Sequence, residues 1–315
     1  MILGGPSACG KSALAVALAR TLDGEVVNAD SIQVYRDLAV LTARPGAEDR
    51  ARVPHHLYGV LDPDAVMGAG RWLAVLHGLL PEIWARGRVA VVAGGTGLYL
   101  RALVRGLAPV PAIPAKVRAA AARDYDRLGA AAFAAELARR DPVSAAAIPA
   151  ANRQRMIRAM EVVRATGTPI SAFQAMPHRG GLPDPPAAVA ILPDRDWLFD
   201  RCERRFAGMM AAGAADQVAD LLARGVSPQA PVFRALGARP LAAMLAGELS
   251  RAAAVEAALA DTRAYVRRQF TWFRRQFAAD LILEPPADDP ESEGIGEKVA
   301  RILASRRGAA HNGVA

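Results

Sequence analysis

The chain has 315 residues, 52% of them hydrophobic and 22% charged, which excludes a disordered or collagen-like polymer and suffices for roughly two domains of about 100–200 residues. Basic residues outnumber acidic ones 39 to 31, and all but Lys11, Lys116 and Lys298 of the basic ones are arginine. The charge is clustered: ten basic and five acidic residues lie between Ala112 and Met176, five basic and no acidic ones between Thr262 and Phe277, and six acidic and no basic ones between Glu284 and Glu297. Such clustering favours a nucleic-acid footprint over an arginine-biased solvated surface.

Ile2-Leu3 reads as the end of a short buried strand, followed by a glycine-containing loop and a helix from Lys11 to Leu22 with Leu14, Leu18 and Leu22 four apart. Glu25 to Ala29 is a second strand, Arg71 to Arg86 a helix, and Val89 to Ala93 a third buried strand ending in Gly94-Gly95-Thr96-Gly97. Strands and helices alternating at this spacing imply an α/β fold, a parallel sheet flanked by helices. The prolines at 109, 111 and 114 mark a boundary, after which Lys116 to about Phe173 has helical spacing and no strand, the pattern of an inserted all-helical domain. Ala187 to Leu192 is again a strand, Asp196 to Arg224 one long helix, and Leu281 to Leu283 a last short strand. The expected organisation is a core over 1–111, an inserted helical domain over 112–176, the resumed core with a basic C-terminal helix over 177–304, and a flexible tail over 305–315.

Two cysteines, Cys9 and Cys202, stand outside any Cys/His cluster, so neither a disulfide framework nor a structural zinc site is readable and a reducing, cytoplasmic setting fits. No apolar run approaches the ~18 residues of a membrane span, and Met1 opens directly into Ile2-Leu3-Gly4-Gly5, so a soluble, untargeted protein without a membrane partner is expected.

Gly5-Pro6-Ser7-Ala8-Cys9-Gly10-Lys11-Ser12 matches G-x-x-x-x-G-K-[ST] between a strand and a helix. Its N–H groups, the helix dipole and Lys11 suit phosphate oxygens, and the Ser12 hydroxyl suits Mg²⁺. The loop alone leaves open whether a nucleoside triphosphate or another diphosphate is held. Asp30, in Asn28-Ala29-Asp30-Ser31-Ile32-Gln33-Val34-Tyr35, stands at the carboxyl end of the second strand, where α/β sheets bind ligands. There it serves as Mg²⁺ ligand, as general base, or as an N-cap of the next turn. The Gly94 to Tyr99 stretch permits close backbone approach or simply turns strand into helix. No acid ends the Val89 to Ala93 strand, which counts against a plain ATPase.

Farther along, Asn152 to Arg158 places Arg155 and Arg158 on one helix face with Glu161 and Arg164, suited to phosphate contacts or to intrahelical pairs. Arg234 to Pro240 puts two arginines around Gly237 before a helix start. In Arg267-Arg268-Gln269-Phe270-Thr271-Trp272-Phe273-Arg274-Arg275, the stripe Val266, Phe270, Phe273, Phe277 reads as core, with Arg267 and Arg274 turned outward on a neighbouring face.

In this order the blocks resemble the tRNA dimethylallyltransferase family, whose pattern of phosphate loop, DSxQxY, TAKP, PHH, GGTxLY, QR-x-x-R, GYR and (K/R)RQ-x-TW(L/F)R is met from Gly5 to Arg274. Thr42 to Pro45 and Pro54 to His56 supply the third and fourth blocks. The sequence departs from the family at Cys9 (usually Ser), Leu41 (Gly), Arg44 (Lys) and Ala238 (Tyr or Phe), and the first strand is unusually short.

The resemblance implies transfer of a dimethylallyl group from dimethylallyl diphosphate to the exocyclic amine of the adenosine 3′ of the anticodon in tRNA, with Mg²⁺ as cofactor and the protein a monomer. Asp30 is then the base, with Lys11 and Thr96 completing the catalytic set, Gly5 to Ser12 the diphosphate cradle and Ser12 the metal ligand. The implied tRNA contacts, to a flipped base of the anticodon stem-loop, are Asp30, Ser31, Ile32, Gln33, Thr96, Arg118, Gln154, Arg155, Met156, Ile157, Arg158, Arg234, Gly237, Arg239, Arg267, Arg268, Gln269, Thr271, Trp272 and Arg274. An adenylate isopentenyltransferase, a small-molecule P-loop kinase with the insertion as lid, and an RNA-binding nucleotide switch are the competing readings.

Overall fold

A computed structural model of the chain describes residues 1–284 together with 297, 299 and 301. The expected tail over 305–315 and most of the acidic run from Glu284 to Glu297 lie outside the described residues.

The chain divides into two compact units, one formed by residues 1–104 and 184–315 and the other by residues 105–183. The first half of unit one runs β1 (Ile2–Gly4), α1 (Lys11–Thr21), β2 (Gly24–Asn28), α2 (Ala47–Arg52), β3 (His55–His56), α3 (Ala69–Ala85), β4 (Val89–Gly94) and α4 (Gly97–Arg105). Unit two is all helical: α5 (Ala115–Leu128), α6 (Ala130–Ala138), α7 (Pro142–Ala147), α8 (Arg153–Thr166) and α9 (Ile170–Ala175). The chain then completes unit one with β5 (Ala188–Ile191), α10 (Arg195–Ala211), α11 (Ala214–Ala223), a 3₁₀ turn over Pro231–Arg234, α12 (Ala238–Leu245), α13 (Arg251–Gln276) and β6 (Leu281–Leu283).

The six strands form one sheet in the order β3-β2-β4-β1-β5-β6, and every pairing is parallel. β2 and β5 are buried along their whole length, β5 as an apolar run and β2 with Glu25 and Asn28 hydrogen-bonded inside it. Because β1 pairs with β4 on one side and β5 on the other, the loops after β1, β2 and β4 all leave the same carboxyl edge, where ligands of open α/β sheets bind. Leu14, Leu18, Val26, Val91, Val189, Leu198 and Val266 meet in the core beneath that edge.

Unit two closes on its own core, with Phe133, Leu137, Met156, Met160 and Val162 fully enclosed. Buried Asp141 ties it together: its carboxylate accepts the Ser144 N–H at 3.0 Å and the Ser171 hydroxyl at 2.7 Å.

One expected element differs. The span from Asp196 to Arg224 is two helices, α10 and α11, separated at Ala212-Gly213, where Gly213 takes φ 86°. A left-handed residue ends an α-helix, and glycine holds that conformation without steric cost.

Candidate active site

The phosphate loop runs from Gly5 to Ser12 between β1 and α1. Gly10 caps α1 in the left-handed conformation and no side chain accepts from the first-turn N–H groups, so these orphan donors and the positive end of the helix dipole are available to an anion. Lys11 Nζ folds back onto the Pro6 carbonyl at 2.6 Å. The thiol of Cys9 is wholly buried, 3.7 Å from Lys11 Nζ, so this departure fills the inside of the loop rather than its ligand face. The Ser12 hydroxyl is exposed and carries no hydrogen bond among the described residues. No three His, Cys, Asp or Glu side chains are grouped as a metal centre among the described residues. A cation at this loop would therefore be held by the Ser12 hydroxyl, diphosphate oxygens and water, an oxygen set suited to Mg²⁺.

Asp30 follows β2 and is fixed from both sides. Its N–H donates to Asn28 Oδ1 at 2.7 Å, and its Oδ1 accepts the N–H of Ile32 at 2.8 Å. The turn-capping role weighed for this residue is thus real, and it occupies only one carboxylate oxygen; Oδ2 makes no hydrogen bond to the described residues. Asn28, fully buried, also donates to the carbonyls of Asp30 and Leu57 at 3.0 Å each, while its own carbonyl accepts Trp72 Nε1 at 2.9 Å. Sequence reasoning did not single out Asn28. Thr96 Oγ1 accepts the Ser31 N–H at 3.0 Å and stands 3.3 Å from Ser31 Oγ, joining the β4 loop to the Asp30 loop. Gln33 spends its amide on the carbonyls of Thr42 and Ala43, and Arg44 donates to those of Tyr35 and Arg36. Both therefore shape this loop from within.

Arg205 on α10 is a second omission. Burial depresses its pKa from the usual arginine range, an effect partly offset by the charge of Asp30 and by the thiols of Cys9 and Cys202. Its one hydrogen bond among the described residues is a 3.5 Å contact to the Thr42 carbonyl. This guanidinium is half-buried and makes no ion pair among the described residues. In sequence it was hidden among Arg201, Arg204 and Arg205. The phenols of Tyr58 and Tyr265 also lie near Asp30, and burial first, then that carboxylate, pushes both up.

The glycines of the Gly94 to Gly97 turn allow close approach, but of α13 rather than of a ligand. A Cβ on Gly95 would stand 2.4 Å from Gln269 Nε2, and one on Gly97 would stand 2.5 Å from the Trp272 ring.

Several residues expected to touch RNA lie elsewhere. Gln269 is buried, bonded to Ser7 and Gly95. Trp272 is half-buried and packs on Phe273 and Phe277. Met156 and Ile157 sit in the core of unit two, because they occupy the inner face of α8. Gly237 is buried against Phe206. Arg158 pairs with Glu161 at 2.6 Å, the intrahelical pairing weighed for this face, while Arg164 turns inward to Asp124 and Glu136. Arg267, Arg268, Thr271 and Arg274 on α13, and Arg234 and Arg239 flanking Gly237, are exposed on unit one. Arg118, Gln154 and Arg155 are exposed on unit two. Ala238 is completely buried, so its departure from an aromatic changes packing and not an open stacking surface.

A family model described as IPP transferase matches residues 33–276, and one described as isopentenyl transferase matches residues 1–54. The chain is 50% identical over 279 residues to the tRNA dimethylallyltransferase of Parvibaculum lavamentivorans, covering 89% of this chain and 88% of the relative. It is 48% identical over 294 residues to that of Phenylobacterium zucineum, covering 93% and 94%. Among solved structures, the full-length tRNA isopentenylpyrophosphate transferase of Bacillus halodurans is similar with a TM-score of 0.69 and 29% identity, covering 98% of each chain. A eukaryotic dimethylallyltransferase acting on tRNA shares the fold with a TM-score of 0.78 at 22% identity, over 98% of this chain and 79% of that one.

Proposed function

Because the chain belongs to the IPP transferase family of tRNA dimethylallyltransferases, we propose that it transfers the dimethylallyl group of dimethylallyl diphosphate to the exocyclic amine of the adenosine 3′ of the anticodon in tRNA, releasing diphosphate. The observation that carries the assignment of roles is the pairing, at one sheet edge, of an anion-binding loop with a carboxylate whose second oxygen is open.

Adenine's amine is a weak nucleophile because its lone pair is delocalised into the ring. Asp30 Oδ2 takes its proton while the nitrogen bonds to C1 of the dimethylallyl group, the C1–O bond breaks, and the electron pair leaves with diphosphate. Asn28 and the Ile32 N–H hold that carboxylate in place. Lys11, the first-turn N–H groups of α1 and Arg205 neutralise the charge that accumulates on the leaving group, and Thr96 fixes the Asp30 loop through Ser31. Mg²⁺, held at the Ser12 hydroxyl, would supply further charge neutralisation on the diphosphate.

We assign tRNA contacts to Arg234, Arg239, Arg267, Arg268, Thr271 and Arg274 of unit one and, separately, to Arg118, Gln154 and Arg155 of unit two. The side chains assigned to the chemistry all come from unit one. No helix among the described residues is long and apolar enough to cross a membrane, and two free buried thiols suit the reducing cytoplasm. The test is transfer of labelled dimethylallyl, with Mg²⁺, to unmodified tRNA and to AMP in parallel. Label in tRNA supports the assignment; label in AMP alone moves the protein to adenylate prenylation.

A further inference from the structure

α13 faces two ways. Outward it carries Arg267, Arg268, Thr271 and Arg274; inward it carries Gln269, only 5% exposed. Gln269 Oε1 accepts the Ser7 N–H at 2.9 Å and the Ser7 hydroxyl at 3.1 Å, and its Nε2 donates to the Gly95 carbonyl at 2.9 Å. One amide thus bridges the phosphate loop and the loop after β4.

The bridge continues to the base. Gly95 is followed by Thr96, whose Oγ1 holds the Ser31 N–H beside Asp30. On either side of Gln269 the helix has little freedom to shift. A Cβ on Gly4 would stand 2.4 Å from Phe273 Cε1, and Trp272 fills the space over Gly97. The Ser7 N–H is consumed by this contact, so Gln269 is not part of the anion cradle; it sets where the cradle stands.

We propose that Gln269 is a positioning residue which holds the diphosphate loop and the Asp30 loop in register, so that the donor carbon and the open oxygen of Asp30 meet the adenine amine in one geometry. It rests on the transfer reaction proposed above. A bimolecular transfer is sensitive to such register, since a misplacement of about 1 Å can cost on the order of 100-fold in rate. Each pocket taken alone keeps its own ligands when the bridge is lost.

The experiment compares wild type with Gln269→Met, which keeps the volume and removes the amide, and Gln269→Asn, whose shorter arm cannot span both loops. Three quantities are read: kcat at saturating dimethylallyl diphosphate and tRNA, the Kd of inorganic diphosphate with Mg²⁺, and the Kd of tRNA. Expected is a fall in kcat of at least about tenfold in both variants, with each Kd within about threefold of wild type. Unchanged kcat overturns the inference, as does loss of diphosphate or tRNA binding in proportion to kcat in both variants, which makes Gln269 a merely structural support. Should Gln269→Met fail to fold, Gln269→Asn decides alone, and its failure as well overturns the positioning role. Failure of the wild-type chain to prenylate tRNA overturns the underlying reaction; success of the wild type with indifferent variants overturns only the role of Gln269.

Discussion

Asn28 grips Asp30 at both ends of its peptide: Oδ1 takes the Asp30 N–H at 2.7 Å and Nδ2 donates to the Asp30 carbonyl at 3.0 Å. The carboxylate assigned as base is therefore aimed by a fully buried amide two residues upstream. Asp30→Ala lowers kcat at least ~100-fold with tRNA affinity little changed, since a general base contributes about 10² to 10⁴. Asn28→Ala leaves the Asp30 N–H and the Leu57 carbonyl without this partner, and it both destabilises the fold by about 1–3 kcal/mol and lowers kcat. Single-turnover transfer and thermal unfolding check the pair; near-normal turnover of Asp30→Ala removes its assigned role.

Arg205 gives a separate prediction because the role proposed for it is at the leaving diphosphate and not at the amine. Arg205→Ala weakens inorganic diphosphate binding at least about tenfold and lowers kcat/KM for the donor by about 10² or more. Arg205→Lys restores part of the affinity, since the charge remains while the planar fork is lost. Titration calorimetry with diphosphate and Mg²⁺ reads this directly, and unchanged affinity in Arg205→Ala places the guanidinium outside the diphosphate pocket.

The parallel sheet was legible because its strands are short apolar runs closed by glycine, as in Val89 to Ala93, and because the phosphate loop needs a strand before it and a helix after it. What was not legible depends on partners remote in sequence. Gln269 meets Ser7 across 262 positions, and within an arginine-rich block a glutamine reads as exposed. Met156 and Ile157 fell into an RNA-facing motif although helical phase turns them inward. The break at Gly213 was missed because one glycine is tolerated inside a helical pattern, and only its left-handed φ decides the matter.

Glu25 links the amino-terminal half of β2 to Arg86 and His56, away from the chemistry. Its carboxylate is buried, accepts two bonds from Arg86 at 2.9 and 2.8 Å, and lies 2.6 Å from His56 Nε2. The Arg86 hydrogen bonds, aided by His56, hold its pKa below the ordinary 4.5 despite burial. A carboxylate with a depressed folded-state pKa adds stability above its unfolded pKa and loses it as pH falls through the folded value. Glu25→Gln thus destabilises the chain by about 1–3 kcal/mol at pH 7, discounted for the half-exposed Arg86, and the gap from wild type narrows below pH 4.5. Urea unfolding at pH 7 and pH 4 checks it; a pH-independent difference shows that the ion pair is not the source.

The exposed arginines of α13 are predicted to act through phosphate charge. Arg267 stacks over Phe199, with its guanidinium carbon 5.5 Å from the ring centroid, and Arg274 is exposed; neither makes an ion pair among the described residues. A cation braced on an aromatic ring keeps its donors for an outside partner. Replacing both with Ala weakens tRNA binding and flattens the dependence of log K on log salt by roughly one unit per lost contact, so by up to about two. Affinity for inorganic diphosphate stays at the wild-type level, because neither side chain reaches the phosphate loop. Filter binding across a salt series measures the slope, and an unchanged slope returns this face of α13 to an ordinary solvated helix surface.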